Sequence, residues 1–245
     1  QPLGDYFDLL AGTSTGGIIA LGLGLGLPAK DILSFYEMHG PAIFHDAKGV
    51  LGRVLGAKYE SEPLRDALQS VFGDRTLGEA RTRLVIPSTN LETGEVHVFK
   101  TAHHERFERD YKERVVDVAL STAAAPTYFR THRLPAGVPL IDGGVWANNP
   151  MGAAAVESLG VLEWPKGEVA LLSISCTASA PTIRDRDRAG LGFRGWAPHL
   201  VSTFMNAQSS ASIGMALLLL GHANVHRISK TVGGGRYKLD GIRDI

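Results

Sequence analysis

Two residues stand where their types and spacing could do chemistry: Ser14 and Asp142. Ser14 is the centre of Gly12-Thr13-Ser14-Thr15-Gly16. A short apolar run from Tyr6 to Ala11 precedes the motif and Ile18-Ile19-Ala20-Leu21 follows it, so the pattern predicts strand, tight turn and helix. In that setting a G-x-S-x-G serine sits at the tip of a strained turn, suited to act as an acyl-transfer nucleophile. Glycines at 12 and 16 are expected to remove Cβ atoms that would clash in the turn. The helix starting near Thr15 would aim its free N–H groups, the N–H of Thr15 among them, at a developing oxyanion. A phosphate-cradling turn fits less well. No Gly-Lys-Ser/Thr follows, and Ser14 occupies the place of the second glycine in a dinucleotide fingerprint.

A serine hydroxyl needs a base. Asp142-Gly143-Gly144 follows the apolar run Pro139-Leu140-Ile141, so a carboxylate is expected at a strand end, with Gly143 and Gly144 leaving room for Ser14 or substrate. Among nine histidines, His199, His222 and His226 follow Asp142 in the chain order of a Ser-Asp-His esterase of α/β-hydrolase type. That triad is one alternative, although capping or surface positions account for all three imidazoles. A non-catalytic lipid- or nucleotide-binding module on the same fold is another. His103-His104-Glu105 has no third ligand at helical or strand spacing, so it reads as a solvated turn and no metal is expected.

The elements that must hold these groups follow from periodicity and breakers. Gly22, Gly24 and Gly26 alternate with leucines, suggesting a helix packed closely on a neighbour, and Pro28 ends it. Helices are expected over Ala29 to His39, from Ser61-Glu62-Pro63 to Gly73, over Val115 to Ala124, Met151 to Leu159 and Ala197 to Leu220. Strands are expected at Leu84-Val85-Ile86, Val96 to Phe99, Val138 to Ile141 and, fully apolar, Val169 to Ser175. Helices and strands alternate, which predicts an α/β three-layer sandwich whose central sheet is mostly parallel and covered on both faces.

The chain has 245 residues, 44% hydrophobic and 20% charged, enough for one domain over residues 1–245 with its own core. Lys plus Arg total 25 and Asp plus Glu total 25, so no global basic field exists to gather nucleic acid, and neither DNA nor RNA is expected as a partner. The single cysteine, Cys176, cannot form an internal disulfide, which favours a reducing, cytoplasmic setting. The apolar runs at Gly16 to Leu27 and Ile213 to Gly221 fall short of the roughly 20 residues a bilayer span requires. A sign-alternating loop, Thr182 to Trp196, carries Arg184, Arg186, Arg188 and Arg194 with Phe193 and Trp196. Arginines paired with phosphates and an aromatic stacked on a base would suit a nucleotide, with Arg184, Arg186, Arg188 and Trp196 as the candidate contacts; a solvated loop is the plain alternative.

Taken together, Gly12 to Gly17, Asp142-Gly143-Gly144, Ser121-Thr122-Ala123-Ala124-Ala125-Pro126-Thr127-Tyr128-Phe129 and Asn148-Asn149-Pro150 resemble the patatin-like phospholipases over most of the chain. The resemblance implies a patatin-like fold and a Ser14–Asp142 dyad, without histidine or cofactor, that hydrolyses acyl esters of membrane glycerophospholipids. Softer motifs are similar to bacterial patatin-like effectors of cyclic-dinucleotide antiphage systems (CBASS): Tyr6-Phe7-Asp8, Gly40 to Phe44, Met205-Asn206-Ala207-Gln208 and Tyr237-Lys238-Leu239-Asp240. That likeness implies a cyclic dinucleotide activator and action at the cytoplasmic face of the inner membrane, and it leaves homo-oligomerisation open. The family also carries a Gly-rich oxyanion loop of Asp-Gly-Gly-Gly-x-Arg/Lys-Gly type before its nucleophile. The residues preceding Ser14 do not contain it, so that loop and its strand are expected before Gln1, becoming ordered on activation.

Overall fold

The computed structural model describes residues 2–45, 56–175 and 193–230. Its organising element is the central strand β2 (Arg83–Asn90), six of whose eight residues are buried. Side chains alternate across it. Leu84 and Ile86 join the main core with helices α1 (Thr15–Gly24), α2 (Ala29–Ile43), α3 (Glu62–Phe72) and α4 (Val115–Ala123). Val85 faces the other way, as does its partner Lys100 on β3 (Val96–Lys100), and Lys100 bonds to Glu157 there. That second face carries helix α6 (Met151–Val156), which continues as a π-helical turn over Glu157–Val161. Met151 and Ala155 of α6 form a second cluster with Ala216 and Leu220 of the long helix α7 (Phe193–Leu220). Helices therefore cover both faces, as the alternating pattern predicts.

The sheet itself is mixed rather than mostly parallel. Strand β1 (Leu9–Ala11) pairs parallel with β2, whereas β3 and β5 (Pro139–Asp142) pair antiparallel with it, and β4 (His132–Arg133) antiparallel with β5. The connections explain the difference: β2 reaches β3, and β4 reaches β5, through short turns that only antiparallel strands permit. Helical segments join the parallel pairs, β1 to β2 and β6 (Leu171–Ile174) to β7 (Val225–Ile228), the latter forming a separate two-stranded sheet. The apolar run at β6 is not fully buried, since Leu172 and Ile174 are exposed.

The edges of β2 decide where the chemistry lies. Residues 85–89 pair with β3 on one edge, so β1 at residues 83–85 and β5 at residues 88–90 must share the other. They approach end to end, β1 running toward Ala11 and β5 running oppositely toward Asp142. Pro87, with no N–H to give a ladder, sits in the gap between them. The chain following each strand enters that gap.

Candidate active site

The segment leaving β1 forms the turn that the glycines predict. Ser14 adopts φ 56° and ψ −125°, left-handed backbone that a side-chain-bearing residue occupies at a cost of order 1–3 kcal/mol. Neighbouring atoms enforce it. The Gly12 N–H donates to the Val85 carbonyl at 3.2 Å, the Ser14 N–H to Thr122 Oγ1 at 3.1 Å, and Thr122 Oγ1 to the Pro87 carbonyl at 2.6 Å. A Cβ on Gly12 would stand 2.1 Å from the Gly16 carbonyl oxygen, so only glycine fits. Gly16 is different: a Cβ there would meet nothing within 4 Å, so it keeps space open above the turn instead of relieving a clash. Ser14 is half-buried, Thr15 and Gly16 are exposed, and α1 begins at Thr15. The free N–H groups and positive end of α1 therefore open at the serine.

The segment leaving β5 brings the carboxylate. Asp142 pairs with Ser88, which places its side chain on the face covered by α1 and α4. It is 5% exposed. Its Oδ1 accepts the Gly144 N–H at 2.6 Å, and the Ser14 side chain stands close enough to the same carboxylate to favour its charged form. Burial pushes the Asp142 pKa up to about 6, with the neighbouring Ser14 side chain and the Gly144 N–H opposing the rise. Gly143 lies against the gap in the sheet, where a Cβ would stand 2.2 Å from the Pro87 carbonyl oxygen. A short helix α5 (Gly144–Ala147) follows, and the Thr13 hydroxyl ties it to the elbow by donating to the Ala147 carbonyl at 2.7 Å. Base and nucleophile segments are thus bolted to each other as well as to β2.

Sequence reasoning missed Thr122 and Thr13, whose hydroxyls fix the elbow's backbone; Thr122 lay in a segment noticed only by resemblance. The Tyr36 hydroxyl of α2 donates to the Thr15 carbonyl at 3.1 Å, and burial raises its pKa. His103 was misread. Its ring is not solvated but buried, with Nε2 2.9 Å from Glu157 Oε1 and Nδ1 2.7 Å from Thr101 Oγ1. His132 likewise serves Asp117, at 3.1 Å. No imidazole figures among the groups that set the Asp142 pKa, whereas Ser14 does. Among the described residues no three His, Cys, Asp or Glu side chains gather as a metal site requires, and no helix is long and apolar enough to cross a membrane. Trp196 is 40% exposed at the start of α7, and Arg184, Arg186 and Arg188 lie outside the described residues, as does Cys176.

Residues 1–155 match the patatin-like phospholipase family. The chain belongs to that family. A cGAMP-activated phospholipase of Pseudomonas aeruginosa is 36% identical over 227 residues, which is 91% of this chain and 68% of that protein. Another of the same name, from Vibrio cholerae, is 34% identical over 88% of this chain and 66% of its own length. Patatin-like protein 4 of Arabidopsis thaliana is 32% identical over 66% of this chain and 45% of that protein. The chain thus spans about two thirds of the two bacterial relatives and less than half of the plant one. Ser14, Asp142 and the glycines about them all fall inside the matched patatin-like segment.

Proposed function

We propose that this patatin-like chain is a serine lipid acyl hydrolase that cleaves acyl esters of membrane glycerophospholipids with a Ser14–Asp142 dyad. One observation carries the reading: a serine held at positive φ on a strand-to-helix elbow stands beside a buried carboxylate and favours its charged form. With a pKa of about 6, Asp142 is mostly ionised at neutral pH yet basic enough to take a proton as bonds change. Ser14 Oγ attacks the ester carbonyl while its proton passes to Asp142. Negative charge develops on the carbonyl oxygen, opposite the Thr15 N–H and the positive end of α1. Asp142 then gives its proton to the departing lysophospholipid alkoxide. Water, deprotonated by Asp142, attacks the acyl-Ser14 ester, and the fatty acid leaves as Ser14 regains its proton.

The names of the bacterial relatives support a cyclic dinucleotide as activator, and this chemistry directed at a cell's own inner membrane would serve antiphage defence from the cytoplasmic side. The proposed contact for it is the arginine-bearing segment of residues 184–188 together with Trp196 of α7, through Arg184, Arg186, Arg188 and Trp196. Phospholipid hydrolysis, assayed with and without a panel of cyclic dinucleotides, tests both levels. Activation by one member and loss of all hydrolysis in Ser14→Ala are the expected results. Undiminished hydrolysis by Ser14→Ala removes the nucleophile. Equal rates across the panel remove the gating, and normal activation of the Arg184→Ala/Arg186→Ala/Arg188→Ala variant removes only the location.

A further inference from the structure

From Gly195 to Leu220 the helix α7 carries no Asp, Glu, Lys or Arg, yet within little more than one turn it directs three polar side chains at the segment after Asp142. Gln208 Nε2 donates to the Val145 carbonyl at 2.6 Å. Ser209 Oγ accepts from Asn149 Nδ2 at 3.3 Å. The Ser212 hydroxyl, on a residue 6% exposed, donates to the Asn149 carbonyl at 2.6 Å and accepts the Gly152 N–H at 2.8 Å. Ser212 thereby satisfies a first-turn N–H of α6 that the helix cannot satisfy itself, and ties it to the carbonyl of Asn149 just before the helix. The fit there is close, because a Cβ on Gly152 would stand 3.2 Å from Ser212 Oγ.

What these contacts hold matters for the base. Helix α5 has four residues, too few to persist without outside support. Its first residue is Gly144, whose N–H binds Asp142 Oδ1 at 2.6 Å, so a displacement of α5 passes directly to the carboxylate. Thr13 secures the last residue of α5 from the elbow side, at Ala147. On the side away from the elbow, Gln208 holds the middle of α5 and Ser212 holds the start of α6.

We propose that Gln208 and Ser212 are positioning residues for Asp142, acting from α7 by fixing α5 and the start of α6 so that the carboxylate stays on the Ser14 hydroxyl. The inference rests on the dyad reading above. A misplacement of about 1 Å suffices to cost on the order of a hundredfold in rate, so these side chains bear on catalysis without touching substrate.

The test measures two rates on the full chain: fluorophosphonate labelling of Ser14 by intact mass, and kcat and KM on a p-nitrophenyl ester. Gln208→Met and Ser212→Ala are compared with wild type and with Ser158→Ala. The control removes a buried hydroxyl of the same kind, which bonds to the Ala155 carbonyl at 2.9 Å away from α5. Gln208 is only half-buried, so Gln208→Met keeps the test informative if Ser212→Ala folds poorly. The expected result is a loss of about 10–100-fold in labelling rate and kcat for both variants, with KM within about twofold of wild type and Ser158→Ala near wild type. Rates equal to those of Ser158→Ala, or a change confined to KM, overturn the positioning role. A wild type that neither labels at Ser14 nor hydrolyses ester overturns the dyad reading instead.

Discussion

Replacing Asp142 by Asn separates a charge kept for chemistry from one kept for structure, because the two act on stability with opposite sign. Burial raises the Asp142 pKa from 3.8 to about 6. The folded state therefore binds this proton more tightly than the unfolded chain. Below the unfolded value the carboxyl is neutral in both states and adds no penalty; as pH rises through about 6, ionisation in the folded protein costs stability. Two pKa units correspond to about 3 kcal/mol, fully expressed above pH 7. Asn carries no charge, so its stability relative to wild type should improve by about 2.5 kcal/mol between pH 4 and pH 8. Any fixed cost of burying the amide cancels in that difference, as do the paired carboxylates Asp117 and Glu157, whose pKa values are lowered in both proteins. Urea midpoints of both proteins at the two pH values measure it, alongside ester hydrolysis, which should fall by at least a hundredfold in the variant. A stability difference that does not change with pH would refute the buried charge. Full hydrolysis by the variant would refute the base.

Ser14→Gly should remove all hydrolysis yet raise stability by about 1–3 kcal/mol in urea melts, since glycine takes φ 56° without strain. For wild type, kcat/KM on a p-nitrophenyl ester should fall about tenfold per pH unit below about 6, because the base is then protonated; a profile flat to pH 4.5 would contradict it. His199→Ala, His222→Ala and His226→Ala should each keep most activity, and one as inactive as Ser14→Ala would restore the Ser-Asp-His triad. Gly143→Ala should destabilise by 1–3 kcal/mol or more, its Cβ driven into the Pro87 carbonyl, whereas Gly16→Ala should melt within about 0.5 kcal/mol of wild type and alter only substrate handling.

The elbow was legible in sequence because Gly12 answers a local demand, a Cβ there striking the Gly16 backbone; the base was legible as a carboxylate and two glycines after an apolar run, although what requires Gly143, the Pro87 carbonyl, lies on distant β2. The start of α2 after Pro28 and the end of α3 at Gly73 were legible because a breaker acts on its own neighbourhood. Strand direction was not, since alternation of side chains is identical in parallel and antiparallel ladders. Thr122 escaped notice because its partners, the Ser14 N–H and the Pro87 carbonyl, are 108 and 35 residues away. His103 lies 54 residues from the Glu157 that buries it, so its local sequence resembled a polar turn. Gln208 and Ser212 act on backbone about 60 residues distant, and a serine on an apolar helix gives no sign of that by itself.

The central claim is that Ser14 becomes acylated with Asp142 as its base. Exposing wild type, Ser14→Ala and Asp142→Asn to a fluorophosphonate and mapping the adduct by peptide mass tests it most directly. The account predicts one adduct on wild type, at Ser14, none on Ser14→Ala, and labelling of Asp142→Asn slowed at least a hundredfold. An adduct on another residue, or wild-type labelling rates in Asp142→Asn, would contradict it.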